Sequence, residues 1–218
     1  EPKPTVVSAA QGLDLIEEVH DHVRGDAVQR QGQTPAKKSG GHGHHHAHGA
    51  FNPHVWLDPL LAQDICRRIA AAFIAADPAG QETYARNLTN YLEALTALHQ
   101  KILATTGGFR IREFVGFHPS FTYFARRYDL KEVGIIEVAP GREPTPRALK
   151  NIIAAIRHYG IKVIFSEPQF SPRIAQVLAQ EAGVSVLALD PLGGRPPYGD
   201  NYLKLMEYNL QTMAQAMQ

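Results

Sequence analysis

Five of the eleven histidines fall between His42 and His48, in the run GHGHHHAHG. A neutral imidazole nitrogen is a good ligand for zinc, nickel and copper. Histidines this close together on a glycine-punctuated chain capture a metal without a fixed geometry. The run is internal and broken by Gly and Ala, unlike a continuous terminal tag. Ordering a free loop around an ion costs conformational entropy. His42, His44, His45, His46 and His48 therefore read as an auxiliary, metal-gathering set rather than the primary site.

Three further residues have the chemistry of a primary site. His54 stands in NPHVWLDP, stiffened by Pro53 and backed by Trp56 and Leu57. His118 stands in GFHPSF, before a proline suited to the first position of a helix. The positive end of a helix disfavours a protonated imidazole, and neutral histidine is the form that binds metal. Asp190, in LALDPLGG, suits either a tight turn or donation of a carboxylate oxygen. Two histidines and one carboxylate are a common zinc set, and zinc takes four ligands. The fourth would be water, a loop histidine, Glu167, or a residue outside this chain. Intrinsic affinity alone would favour copper at such a site. No HExxH pair or other catalytic zinc signature occurs, so these residues point to holding a metal rather than to hydrolysis. The competing reading is a metal-storage or chaperone domain acting through the histidine-rich loop alone.

The elements that must position these residues are legible from periodicity and punctuation. The opening TVVSAAQGLDLIE suggests a strand end and a turn near Gly12. Residues 24–50 lack hydrophobic periodicity and read as a long loop. Asp58 and Pro59 are N-cap and first residue of a helix carrying Leu61, Ile65, Ile69, Ala72 and Phe73 at helical spacing. Asp77-Pro78 starts a second helix that runs through Tyr84, Leu88, Tyr91, Leu92, Leu95, Leu98 and Ile102 to Gly107-Gly108. At ~1.5 Å per residue it spans ~40 Å.

Beyond Gly108 short apolar strands alternate with helices. Strands are expected at 114–117, 133–138, 163–166 and 184–190, and helices over SFTYFARRY and at 146–160, 172–183 and 198–217. This alternation predicts an α/β fold, a parallel sheet with helices on both faces. Ligands of such sheets bind beyond the carboxyl ends of the strands. His118, Glu137, Glu167 and Asp190 all fall at or just after strand ends, so they should converge on one edge.

The bulk composition narrows the function classes. The 218 residues carry 22 Lys and Arg against 21 Asp and Glu, which gives no reason to propose nucleic acid or an anionic membrane surface as partner. No apolar run is long enough to span a bilayer, so no direct membrane insertion is expected. The single cysteine, Cys66, lies in an apolar helical pattern and reads as a small buried hydrophobe. Glu1 opens no signal peptide, so the chain is expected to be cytoplasmic, processed, or cut from something longer.

Taken in order, NPHVWLDP, GFHPSFTYFARRY, EVAPGREPTPRAL, VIFSEPQFSP, LALDPLGG and the closing YLKLMEYNL resemble the metal-specific substrate-binding proteins of bacterial ABC importers, in the zinc-uptake branch. The resemblance runs from about Thr5 to the end. It implies two α/β lobes joined by one long helix, with the metal in the cleft between them. It carries ligand roles onto His54, His118 and Asp190, and a histidine at 118 rather than a carboxylate points to zinc over manganese. It implies a carrier, periplasmic or lipid-anchored at the cell surface, that delivers Zn2+ to a membrane permease; the chain is expected to be periplasmic, a monomer and not an enzyme. On this reading residues 1–57 are a remnant of the N-terminal lobe with its histidine-rich loop. Residues 58–107 are a helical linker with the backbone helix, and 108–218 are the C-terminal lobe. The first histidine ligand of the family, which lies in the N-terminal lobe, has no counterpart in this chain.

Overall fold

The computed structural model describes residues 5–17, 51–137 and 144–218. The loop histidines His42, His44, His45, His46 and His48 lie outside the described residues.

The chain enters its regular structure through a short 3-10 turn, Val55–Leu57, and then α1, Pro59–Ala76. Asp58 caps α1 as its sequence position demands: its Oδ1 accepts from the Leu60 N–H at 2.9 Å, with Pro59 at the first helical position. A second turn, Pro78–Gly80, leads into α2, Gln81–Gly107, which at 27 residues is the long helix expected. Only part of the apolar spacing on these two helices faces the core. Leu61 and Ala62 of α1 and Leu95, Leu98 and Ile102 of α2 are buried, whereas Ile69 and Phe73 are exposed. The stripe marked the right period, but burial along it is confined to the start of α1 and the later part of α2. Phe73 meets the ring of Tyr84, centroids 5.6 Å apart.

Four parallel strands follow: β1 Glu113–Gly116, β2 Lys131–Ile135, β3 Val163–Ser166 and β4 Ser185–Ala188, in the order β2-β1-β3-β4. Between them lie α3 (Thr122–Arg127), α4 (Pro146–Tyr159) and α5 (Arg173–Ala182), and α6 (Tyr202–Met217) closes the chain. Alternate residues of the strands serve opposite faces. Phe114, Val163 and Phe165 join the core shared with α2, α3 and α6. Val115 and Ile164 join the core shared with α4 and α5. The strands are apolar on both sides because both faces are covered, the pattern of a parallel sheet between helical layers. The fold is thus α/β, as the alternation predicted.

The opening segment differs from expectation. Its turn is present, with Gly12 at φ 72°, but its described residues form no strand; Glu17 makes only an isolated antiparallel bridge to Phe51. A β-branched run becomes a strand only where another edge can pair with it, and Val6 is 89% exposed. Among the described residues no helix is long and apolar enough to cross a membrane.

Candidate metal centre

The strand order reverses direction between β1 and β3, where the chain leaves β1 on one side to make β2 and returns on the other to make β3. Ligands of open α/β sheets sit outside the carboxyl ends of the strands at such a point. His118 leaves β1 and Glu167 leaves β3, so the two side chains flank it. His118 Nδ1 lies 2.6 Å from Glu167 Oε1, and the same oxygen accepts from the Ser120 hydroxyl at 3.0 Å and weakly from the His118 backbone N–H at 3.4 Å. Glu167 is buried, and its other oxygen, Oε2, has no hydrogen-bond partner among the described residues.

The opposite nitrogen of His118 meets His54. The two Nε2 atoms are 3.1 Å apart, with ring centroids at 4.9 Å in an edge-on arrangement. His54 reaches this point because Asn52, Pro53 and the 3-10 turn Val55–Leu57 hold its backbone at the end of the sheet. Its Nδ1 lies 2.9 Å from Asn52 Oδ1. Burial, reinforced by the neighbouring His118, lowers its pKa from 6.5 to about 4. His54 is therefore neutral over the physiological range.

Each ring thus has its Nδ1 against an oxygen acceptor, so in the neutral form of each ring the proton sits there and the lone pair is on Nε2. Two lone pairs then point at each other across 3.1 Å. That contact is repulsive unless a cation or a shared proton lies in it. Two nitrogens ~2.0 Å from a tetrahedral zinc lie roughly 3.3 Å apart, close to the spacing found. A ligating histidine whose other nitrogen is held by a carboxylate or carbonyl oxygen is the usual outer arrangement of a metal site.

Asp190 leaves β4 and is buried. Its Oδ1 accepts from the Leu192 N–H (2.9 Å), the Gly193 N–H (3.1 Å) and Gln169 Nε2 (2.5 Å), and its Oδ2 from the Tyr198 hydroxyl (2.5 Å). Burial opposes the charge, but the bonds from Tyr198, Leu192, Gln169 and Gly193 outweigh it and hold the carboxyl below its ordinary range. The turn beyond needs glycine, because Gly193 and Gly194 sit at φ 82° and 78°. Asn209 of α6 fixes the Asp190 backbone, accepting from its N–H at 2.9 Å and donating to its carbonyl at 2.7 Å.

No hydrogen bond joins Asp190 to either histidine among the described residues. Nor, among those residues, is any group of three or more His, Cys, Asp and Glu side chains gathered closely enough to enclose a metal. Two bridges nevertheless connect the histidine pair to the Asp190 turn. Gln169, which donates to Asp190, is two residues past Glu167 in the loop after β3. Trp56, ring to ring with His54 at 5.4 Å, donates its indole N–H to the Pro191 carbonyl at 2.8 Å. Glu137, the fourth residue expected at this edge, is buried just past β2, its N–H donating to the Phe117 carbonyl at 2.7 Å.

Behind His118 lies a carboxyl that no motif or spacing singles out. Glu132 is on the edge strand β2, but its carboxyl turns inward under Gly116. A Cβ at 116 would come within 2.5 Å of Glu132 Oε1, so the close approach requires glycine. That oxygen is buried, with no hydrogen-bond partner among the described residues. Burial, with the nearby charge of Glu167, raises the pKa of Glu132 to about 8 against a weaker pull from a Thr122 hydrogen bond.

The structure thus brings two histidines together at the switch point of an α/β sheet. The chain belongs to the family described as zinc-uptake complex component A, periplasmic, whose model matches residues 3–216. It is 32% identical over 216 residues to the zinc-binding protein AdcA of Streptococcus pyogenes, covering 97% of this chain and 41% of that protein. It is 30% identical over 215 residues to the high-affinity zinc uptake system protein ZnuA of Bacillus subtilis, covering 97% of this chain and 63% of that one. A crystal structure of ZnuA superposes with a TM-score of 0.78 at 29% identity, covering 97% of this chain and 70% of the other. The chain therefore spans less than two thirds of the length of these curated relatives.

Proposed function

We propose that this chain binds zinc as cargo, in the periplasm, and hands it to an ABC-type membrane permease. The observation that carries this reading is the pair of Nε2 atoms facing each other at 3.1 Å, each ring tied at Nδ1 to an oxygen acceptor. Such a pair gains most from a cation placed between its lone pairs, and borderline nitrogen ligands suit zinc. The family membership supports a role in zinc uptake.

His54 and His118 donate their Nε2 atoms, and Glu167 orients His118 rather than ligating, because its bonded oxygen lies on the side of the ring away from His54. Asp190 supplies the third donor through Oδ2, which accepts one hydrogen bond where Oδ1 accepts three. Its charge offsets part of the cation's. Reaching the metal requires movement of the turn that carries it, since Asp190 and the histidines form no three-ligand group among the described residues. Water completes the set. His42, His44, His45, His46 and His48 collect metal and pass it inward. No nucleophile or activated water is called for, so the protein exchanges its ion and performs no reaction on it. It acts as a monomer.

The test is a competitive zinc titration of the chain with residues 42–48 removed. One tight equivalent remaining is the expected result. Loss of all tight binding would overturn this assignment and favour a storage or chaperone role for the histidine-rich loop.

A further inference from the structure

Asn52 is buried, and every polar atom it has is used. Its backbone N–H donates to the Ile16 carbonyl at 2.9 Å, and its own carbonyl accepts from the Tyr123 hydroxyl at 2.9 Å. Its side-chain Oδ1 sits 3.0 Å from the His54 backbone N and 2.9 Å from His54 Nδ1. Its Nδ2 donates to the Pro119 carbonyl at 2.6 Å and reaches Thr122 Oγ1 at 3.4 Å.

These neighbours leave the amide one orientation. The His54 backbone N–H is an obligate donor, so the atom facing it must be the amide oxygen. The Pro119 carbonyl is an obligate acceptor, so the atom facing it must be the NH2 group. Turning the amide over would set donor against donor at one end and acceptor against acceptor at the other. With the oxygen fixed, His54 Nδ1 must carry the ring proton and Nε2 must be bare. The same amide also ties the segment holding His54 to the residue next to His118.

We propose that Asn52 is a positioning residue that selects the Nδ1–H tautomer of His54 and sets its distance from His118, so that the pair is ready for a metal before one arrives. Resting on the proposed zinc role, this adds the residue that presets one of its two nitrogen donors. Outer partners of ligating histidines are worth about 10–100-fold in metal affinity.

The experiment compares the wild-type chain with Asn52→Leu and Asn52→Asp. In the metal-free protein, the ring carbon and nitrogen shifts of His54 in NMR report its tautomer. A competitive titration with zinc then reports affinity. In the wild type His54 is expected as the Nδ1–H form. Asn52→Leu removes the acceptor at similar size, and is expected to populate the Nε2–H form and to weaken zinc about 10–100-fold. Asn52→Asp keeps an oxygen for both His54 N–H groups while opposing the Pro119 carbonyl. It is expected to hold the tautomer and to lose less affinity than the leucine variant. An unchanged tautomer in Asn52→Leu overturns the proposal even if affinity falls, since the role would then be structural only. Should Asn52→Leu not fold, an Nε2–H ring in the wild type or in Asn52→Asp overturns it equally. Because the tautomer is read without metal, failure of the wild type to bind zinc tightly would sink the zinc reading and leave this result standing.

Discussion

His54 and His118 face each other through Nε2 atoms that have no other partner among the described residues, whereas Asp190, at the same sheet edge, has a carboxylate filled by four donors. The first region is held in place from behind and left wanting in front. The second is held in place by the very atoms that would ligate. Local hydrogen bonding can therefore build a site in two ways. It can preset a donor by occupying its far side, or park a donor by occupying its near side. A parked donor loses some of its hydrogen bonds when recruited, which makes the metal's entry and exit easier to reverse. That suits the carrier role proposed above.

The largest effect should come from the preset half. His118→Ala removes one of the two facing nitrogens and relieves the repulsion instead of leaving it to a cation. Zinc affinity is expected to fall by more than about a hundredfold, beyond the range of outer-partner changes. A competitive titration of the chain lacking residues 42–48 reads it without interference from the loop. Affinity within about threefold of wild type would break the comparison outright.

The ground behind His118 gives the next effect. Glu132 holds its proton in the folded state up to about pH 8, while in the unfolded chain it releases it near 4.5. Between those values the unfolded state binds fewer protons, so stability is fully present below about pH 4.5 and falls as pH rises toward 8. The loss is on the order of a few kcal/mol. Glu132→Gln keeps the shape and cannot ionise, while the lowered pKa of His54 acts equally in both proteins, so the melting temperature of the metal-free wild type should fall progressively relative to that of the variant as pH rises through this window. Parallel curves for the two proteins would show that the carboxyl is not enclosed as the geometry indicates.

Much of this arrangement was open to reading in the sequence. The strand over 163–166 and the caps at Asp58-Pro59 are local facts, fixed by apolar runs and by residues that satisfy the first N–H groups of a helix. The convergence of His118 and Glu167 on one edge followed from their places after strand ends, though not their direct contact. What stayed hidden depends on side-chain contacts far apart in the chain. Asn52 was visible only as part of NPHVWLDP, and nothing local says that its amide reaches Pro119, 67 residues on. Glu132 has the look of a solvated edge-strand charge until Gly116 opens a space for it. Asp190 read as a primary ligand with turn chemistry as the alternative, and its four donors come from the loop after β3, from its own turn and from Tyr198. Exposure on α1 was missed because periodicity gives a face but not how far the facing layer extends.

Glu167→Gln sharpens the preset half. An amide at this place can still accept from His118 Nδ1, but it loses the charge and must aim its NH2 group at the pocket where Oε2 has no partner among the described residues. Zinc affinity is expected to fall about 10–100-fold, the range for the carboxylate behind a ligating histidine. A larger loss, equal to that of His118→Ala, would make Glu167 a ligand itself and would replace the division between orienting and ligating residues.

Tyr198→Phe tests the parked half and should be the mildest change. Among the described residues its hydroxyl is the sole hydrogen bond to Asp190 Oδ2, and it helps hold that carboxyl below its ordinary pKa range. A carboxyl lowered in the folded state contributes stability that is present above its unfolded pKa and lost as pH falls through the folded one. Deleting the hydroxyl should thus cost about 1 kcal/mol at neutral pH in the metal-free protein, with the difference from wild type shrinking in acid. Zinc affinity should stay within about threefold, because the bond lost is one that recruitment of Oδ2 would weaken in any case. If affinity instead drops tenfold while stability holds, the tyrosine supports the ligating position of Asp190, and the aspartate is preset like the histidines rather than parked.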